Sequence, residues 1–241
     1  MASLTLINNN TKLALSSDAH MPHYLGKATY VGTTQVPAEG TSNKTTMLAF
    51  VYQINSTYAP LAFVQLTTGT AYSVRQVYQY STGVWRVAIS TTGLATDTPP
   101  NVFCFGRIST AKTGGPALRL FDSSGVLAFD SQSMPLRIAA RPEFAAISGA
   151  YDTGVTSQPL PAGMVQPAIC TECAGYKTVC VKVGSYWNYT LYAYDWYLDG
   201  ANLKRGPYYL GLDSREDGGT VGATSYLHYA KPVVIETYGL P

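Results

Sequence analysis

The stretch Ser73-Val74-Arg75-Gln76-Val77-Tyr78-Gln79-Tyr80-Ser81-Thr82-Gly83-Val84-Trp85-Arg86-Val87-Ala88-Ile89-Ser90 decides the fold class. It holds two runs rich in β-branched and aromatic residues, Ser73 to Tyr80 and Val84 to Ser90, each alternating with period two. That period belongs to a strand, because successive side chains point to opposite faces. Ser81-Thr82-Gly83 between them is a turn, with the glycine free to take positive φ. The same grammar spreads outward along the chain. Further strands are expected over Thr46 to Ile54, Leu61 to Leu66, Asn101 to Ile108, Ala117 to Phe121 and Val126 to Phe129. Beyond these lie Thr178 to Val183, Tyr189 to Tyr194 and Val233 to Thr237. Turn clusters separate them, notably Thr67-Thr68-Gly69-Thr70 and Thr113-Gly114-Gly115-Pro116. Short strands with turns between them are the pattern of sandwiches and barrels, so the chain is read as all-β.

Composition agrees and narrows the function. The 241 residues are 46% hydrophobic and only 12% charged, with a net charge of +2. Soluble domains carry about 25% charged residues, so long solvated helices and coiled coils are excluded. Solubility must come from Ser, Thr, Asn and Gln, or from burying surface against neighbours in an assembly. Basic residues are scattered, with Lys204-Arg205 the one adjacent pair, so nucleic acid is not an expected partner. No run of about 18 apolar residues occurs, so no membrane insertion is expected. The start, Met1 to Leu6, shows neither part of a secretory signal.

Three parts are read along the chain: an N-terminal sandwich-like β-domain over 1–145, a linker or long loop over 146–168, and an aromatic-rich β part over 169–241. The middle segment contains Pro159, Pro161 and Pro167 and little periodicity, while 12 of the 19 tyrosines lie beyond residue 150. An internal echo ties the two ends of the first part together. Leu4 to Ser17 aligns without gaps on Leu118 to Ser131, each copy reading strand, Asn/Asp/Ser turn, strand and polar exit.

The copy Leu118-Arg119-Leu120-Phe121-Asp122-Ser123-Ser124-Gly125-Val126-Leu127-Ala128-Phe129-Asp130-Ser131, with Pro135-Leu136-Arg137-Ile138 after it, resembles a segment of small tail-tip and tail-fibre-associated proteins of tailed bacteriophages. Leu4 to Ser17 followed by Tyr24-Leu25-Gly26-Lys27-Ala28 resembles their opening hairpin and its "GK" phrase, with Thr11 where a glycine is common. The resemblance covers the first 30 residues and about 25 around residue 128. It implies a structural component of a tail tip or baseplate, a virion protein assembled in the host cytoplasm. It also implies docking on other phage tail proteins and a homo-oligomer, taken as a trimer. It implies no catalytic residue and no cofactor.

Three sets of residues are candidates for chemistry. Trp187, Tyr192, Tyr194, Trp196 and Tyr197 crowd the C-terminal part, where exposed rings would grip a host-surface glycan or protein. On the alternation, Tyr192, Tyr194 and Trp196 share one face. Asp195 paired with Asp199 or Glu216 is the set a glycan-cleaving tail enzyme would use, although Asp199-Gly200 is also a strong hairpin turn. A purely structural adaptor is the third reading. Cys170, Cys173 and Cys180 are metal candidates that lack the second pair of a zinc site, and no metal is expected. Cys104, in Val102-Phe103-Cys104-Phe105, reads as a small buried hydrophobe. His20 and His23 flank Met21-Pro22 as solvated loop rings, and His228 has no motif around it.

Overall fold

The computed structural model describes residues 3–8, 11–16, 20–37, 46–91, 98–111, 116–144, 156–170, 176–215, 222–226 and 232–241. Among them every regular element is a strand. The first third holds β1 (Ser3–Asn8), β2 (Thr11–Ser16), β3 (His23–Lys27), β4 (Thr29–Pro37), β5 (Thr46–Asn55), β6 (Leu61–Gln65), β7 (Tyr72–Ser81) and β8 (Val84–Thr91). The middle holds β9 (Val102–Gly106), β10 (Arg119–Phe121), β11 (Leu127–Asp130), β12 (Thr156–Pro159) and β13 (Pro167–Cys170). The remainder holds β14 (Tyr176–Val183), β15 (Tyr186–Asp199), β16 (Asn202–Arg215), β17 (Gly222–Tyr226) and β18 (Val233–Glu236). All ten strands expected from period-two patterning are present, and Ser81 to Gly83 makes the β7–β8 turn with Gly83 at φ +74°.

Two antiparallel sheets form a sandwich. The larger has nine strands, running β12-β16-β15-β7-β8-β5-β4, with β14 and β17 joined to β15. The smaller runs β18-β13-β6-β9-β3. Alternation on facing strands supplies the core between them. Phe50, Tyr52, Val74, Val87, Ile89, Trp196 and Leu203 point in from the large sheet, while Ala62, Val64, Val102, Cys104, Ile169 and Val234 meet them from the small one. The buried Tyr52 hydroxyl donates to the Pro100 carbonyl at 2.5 Å, so its burial leaves no polar atom stranded. The small sheet is buried on its outer face too. There Phe63, Phe103, Phe105, Ala168 and Ile235 are covered by Tyr24, Leu136 and Leu240. This double burial explains why Val102-Phe103-Cys104-Phe105 is apolar without alternation.

The three-part division is corrected by these pairings. Residues 156–159 and 167–170 are not linker: β12 pairs with β16, and β13 sits between β6 and β18. β15 pairs with β7, so the aromatic-rich part shares the large sheet with the N-terminal strands. The prolines that suggested a linker stand at strand ends, Pro159 closing β12 and Pro167 opening β13, where a missing N–H costs least.

Both echo hairpins form, β1 on β2 and β10 on β11. In the second copy the Asp122 carboxylate accepts the Ser124 and Val126 amides at 2.9 and 2.8 Å, and Gly125 takes φ +76°. That copy buries Leu127, Ala128, Phe129 and Asp130. A Met-Pro pair follows each hairpin, and these two segments pair antiparallel about His23 and Pro135. Tyr24 N donates to Met134 O at 2.7 Å and Leu136 N to Pro22 O at 2.8 Å.

His23 is therefore not a solvated loop ring. It is fully buried, 5.5 Å from the Phe129 ring, and near the buried Asp130. Burial holds its imidazole below the ordinary 6.5, and the Asp130 carboxylate offsets this only in part. The unfolded chain thus binds a proton that the folded chain refuses. Stability is full above about pH 6.5 and falls as pH drops from there toward the lowered folded value. Urea titrations at about pH 5 and about pH 7.5 are expected to show this loss, and His23→Leu to lose less across the same interval. An equal loss in both proteins would contradict the assignment. His20 stays at the surface side of this hairpin, with Nε2 3.2 Å from Asp122 Oδ2.

Candidate functional site

The candidate region is built on β15, whose two ends do different work. Its C-terminal end, from Asp195 to Asp199, lies in the sandwich beside β7, while Tyr186 to Ala193 pair with β14 instead. β14 in turn carries β17, so β16, β15, β14 and β17 extend the large sheet beyond β7. The sequence favours this length: seven of the fourteen residues from Tyr186 to Asp199 are aromatic, with no glycine or proline among them, and the strand is stopped by Gly200 at φ +57°. The turn reading of Asp199-Gly200 is thereby confirmed.

The structure divides the aromatic candidates. Trp196 is wholly buried, edge-on to Phe144 with ring centroids 4.8 Å apart, and packs with Leu198 and Leu203 between the sheets. Its place in an exposed platform is corrected: the face it shares with Leu198 is the core face. Tyr197 is half-buried on the opposite face, lying over Gly206. A Cβ built at Gly206 would come 3.1 Å from its ring, so glycine lets the tyrosine lie flat on the sheet. Tyr192 and Tyr194 have their backbone in β15, and their side chains lie outside the described residues. Trp187 is half-buried near the end of the hairpin, with the Lys182 ammonium 5.4 Å from its ring centroid.

Sequence reasoning missed the residues around Trp187. The β14–β15 register pairs Val183 with Tyr186, Lys182 with Trp187 and Val181 with Asn188 across a Gly184-Ser185 tip. Val181, Val183 and Tyr186 are 42%, 57% and 49% exposed, three apolar side chains left uncovered side by side at one hairpin end. The alternation Val181-Lys182-Val183 was the available signal, but it looks the same in a strand whose apolar face is covered.

The carboxylates are committed to structure. Asp195 Oδ1 receives Arg75 Nη2 at 2.6 Å, with the two side chains 0% and 3% exposed, and Arg75 Nε donates to Ser90 Oγ at 2.5 Å. Asp199 pairs with Lys204 at the strand end. Four residues of strand separate the two by about 13 Å, beyond the roughly 5 to 9.5 Å between the carboxyls of a glycosidase. Glu216 lies outside the described residues.

Of the cysteines, Cys104 is buried as the sequence suggested, and burial pushes its thiol up to about 12. Cys170 is half-buried at the end of β13, Cys173 lies outside the described residues, and Cys180 contributes described backbone alone. No group of three His, Cys, Asp or Glu side chains able to hold a metal occurs among the described residues. His228 lies outside them. Among them, too, no helix is long and apolar enough to cross a membrane.

The fold and site together define an antiparallel two-sheet sandwich with a β-extension that ends in an exposed apolar and aromatic hairpin. Comparison with family models, curated proteins and solved structures gives no match to this chain.

Proposed function

We propose that this protein is a non-enzymatic structural component of a bacteriophage tail tip or baseplate, docking on other tail proteins as a homo-oligomer and presenting the β14–β15 hairpin outward. The observation that carries the reading is the exposed hairpin end, Val181, Val183 and Tyr186 with Trp187 behind them, on a chain of few charges. Apolar ends of this kind are interaction surfaces in proteins that work inside assemblies. The two hairpins that resemble segments of tail-tip proteins support the same reading. Glycan cleavage is disfavoured by the separation of Asp195 from Asp199 and by the ion pair that holds Asp195 in the sheet. The test is to locate the chain on purified tailed particles by gold-labelled antibody, with label expected at the distal end of the tail.

A further inference from the structure

We infer that the β14–β15 hairpin tip is a membrane-surface contact, seating in the headgroup region of a bilayer that carries anionic lipid. The tip is apolar on both sides. Val181, Val183 and Tyr186 occupy one face, and Trp187 lies on the other with Lys182 against its ring. A protein partner covers one face of a hairpin, whereas lipid surrounds both. From Cys173 to Tyr194 the sequence has no Asp or Glu, two lysines, five tyrosines and Trp187. Tyr and Trp favour the water–lipid boundary because an apolar ring there keeps a polar atom wet. Lysine lays its stem along apolar surface and holds its charge at the phosphates. β16 runs beside this end of β15 and adds Arg215 opposite Trp187, while Asp213, opposite Tyr189, stands two residues further from the tip, so the register puts the cations Lys182 and Arg215 foremost. A glycan platform needs several hydrogen-bonding side chains around its rings, and beside Trp187 and Tyr186 this tip offers Ser185, Asn188 and Lys182, the last lying against the Trp187 ring.

The dimensions fit a shallow seat. Three residues per strand, Val181 to Val183 and Tyr186 to Asn188, span about 10 Å, the depth reached by interfacial amphipathic elements. A crossing strand needs about 9 to 11 residues, whereas the uncovered end has three per strand, so the hairpin rests in the interface and does not span it. The expectation of no membrane insertion rests on the lack of a long apolar run, a criterion that does not register the short end of a sheet. The inference shares the exposed hairpin end with the tail reading but assigns it to lipid, so a chain located on the tail tip that fails to bind vesicles would overturn this inference alone.

Co-sedimentation of the full chain with vesicles tests it, using pure phosphatidylcholine and phosphatidylcholine with about one-third phosphatidylglycerol. Binding is expected on the anionic vesicles, weakened by salt and accompanied by a blue shift of Trp187 emission that Trp187→Phe removes. Lys182→Gln should weaken binding about fivefold. Val183→Asp and, separately, Val181→Asp should each weaken it by at least about tenfold, since a carboxylate replaces buried apolar surface at the lipid boundary. Both positions are exposed, so the urea midpoint should stay at the wild-type value, which separates lost contact from lost fold. Failure to bind either vesicle, or binding that both aspartate variants retain, overturns the inference. So does a tip that the same variants show to be needed for self-association or for retention on polysaccharide, with no binding to lipid.

Discussion

Trp196→Ala is expected to cost about 3 to 5 kcal/mol of folding stability, the range for truncating a large buried aromatic ring. The indole has no exposed surface, stands edge-on to Phe144 and packs in the same core cluster as Leu198 and Leu203. Removing it opens a cavity on the line where β15 passes from the sandwich into the extension, and the strands on either side are too constrained by their pairing to close it. For a domain of this size the change corresponds to a fall in Tm of roughly 6 to 20 °C. Urea unfolding measures it directly, and a loss under about 1 kcal/mol would show that the ring is not core. The same substitution would mark a surface platform only if stability held and attachment failed. Its burial makes assembly, not attachment, the property that suffers.

Asp195→Ala is expected to cost a comparable 3 to 5 kcal/mol, because it leaves the Arg75 guanidinium buried beside Ser90 without its carboxylate. Replacing both ends with apolar residues of similar size, Arg75→Met with Asp195→Leu, should recover most of that loss, since neither side then buries an uncompensated charge. Wild type, Arg75→Met, Asp195→Leu and the double variant form the cycle that reports the coupling between the two residues by urea unfolding. A single-variant loss below about 1 kcal/mol, as for a surface pair, would contradict the account. Asp195 thus contributes to folding, and its variants have no turnover phenotype to lose under the proposed function.

How far the sequence could be read depended on what each residue competes against. Period-two runs such as Val84 to Ser90 have only one good local solution, and all of them are strands. β16 escaped notice because Lys204-Arg205, Gly206-Pro207 and Gly211 break its pattern. In the sheet, Pro207 falls two residues past Arg205, the last position of β16 paired with β12, and Gly206 makes room for Tyr197. β12 and β13 were hidden by prolines that turn out to stand at strand ends. In the candidate site, alternation correctly placed Trp196 opposite Tyr197, but a strand with aromatics on both faces does not reveal which face meets a second sheet. That choice is made by Phe144, Val234 and Ile169, far away in the chain. His23 was misread for a similar reason. Its neighbours Phe129 and Asp130 come from the second hairpin, more than a hundred residues on.

The hairpin tip was the least legible feature of all, because exposure is a property of what does not cover a strand. Val181 and Val183 would look the same in the core. Only the register with Tyr186 and Trp187, and the handover from β7 to β14 along β15, place them at an uncovered end.

The proposed function is tested most directly by where the chain sits on a particle. Tailed particles purified from cells that make this protein in its native genetic setting would be labelled with antibody raised against the folded chain, carried on gold, and imaged by electron microscopy. Label is expected at the distal end of the tail, on the tip or baseplate, in intact virions. Particles that contain none of the chain, or label confined to the head, would contradict the account.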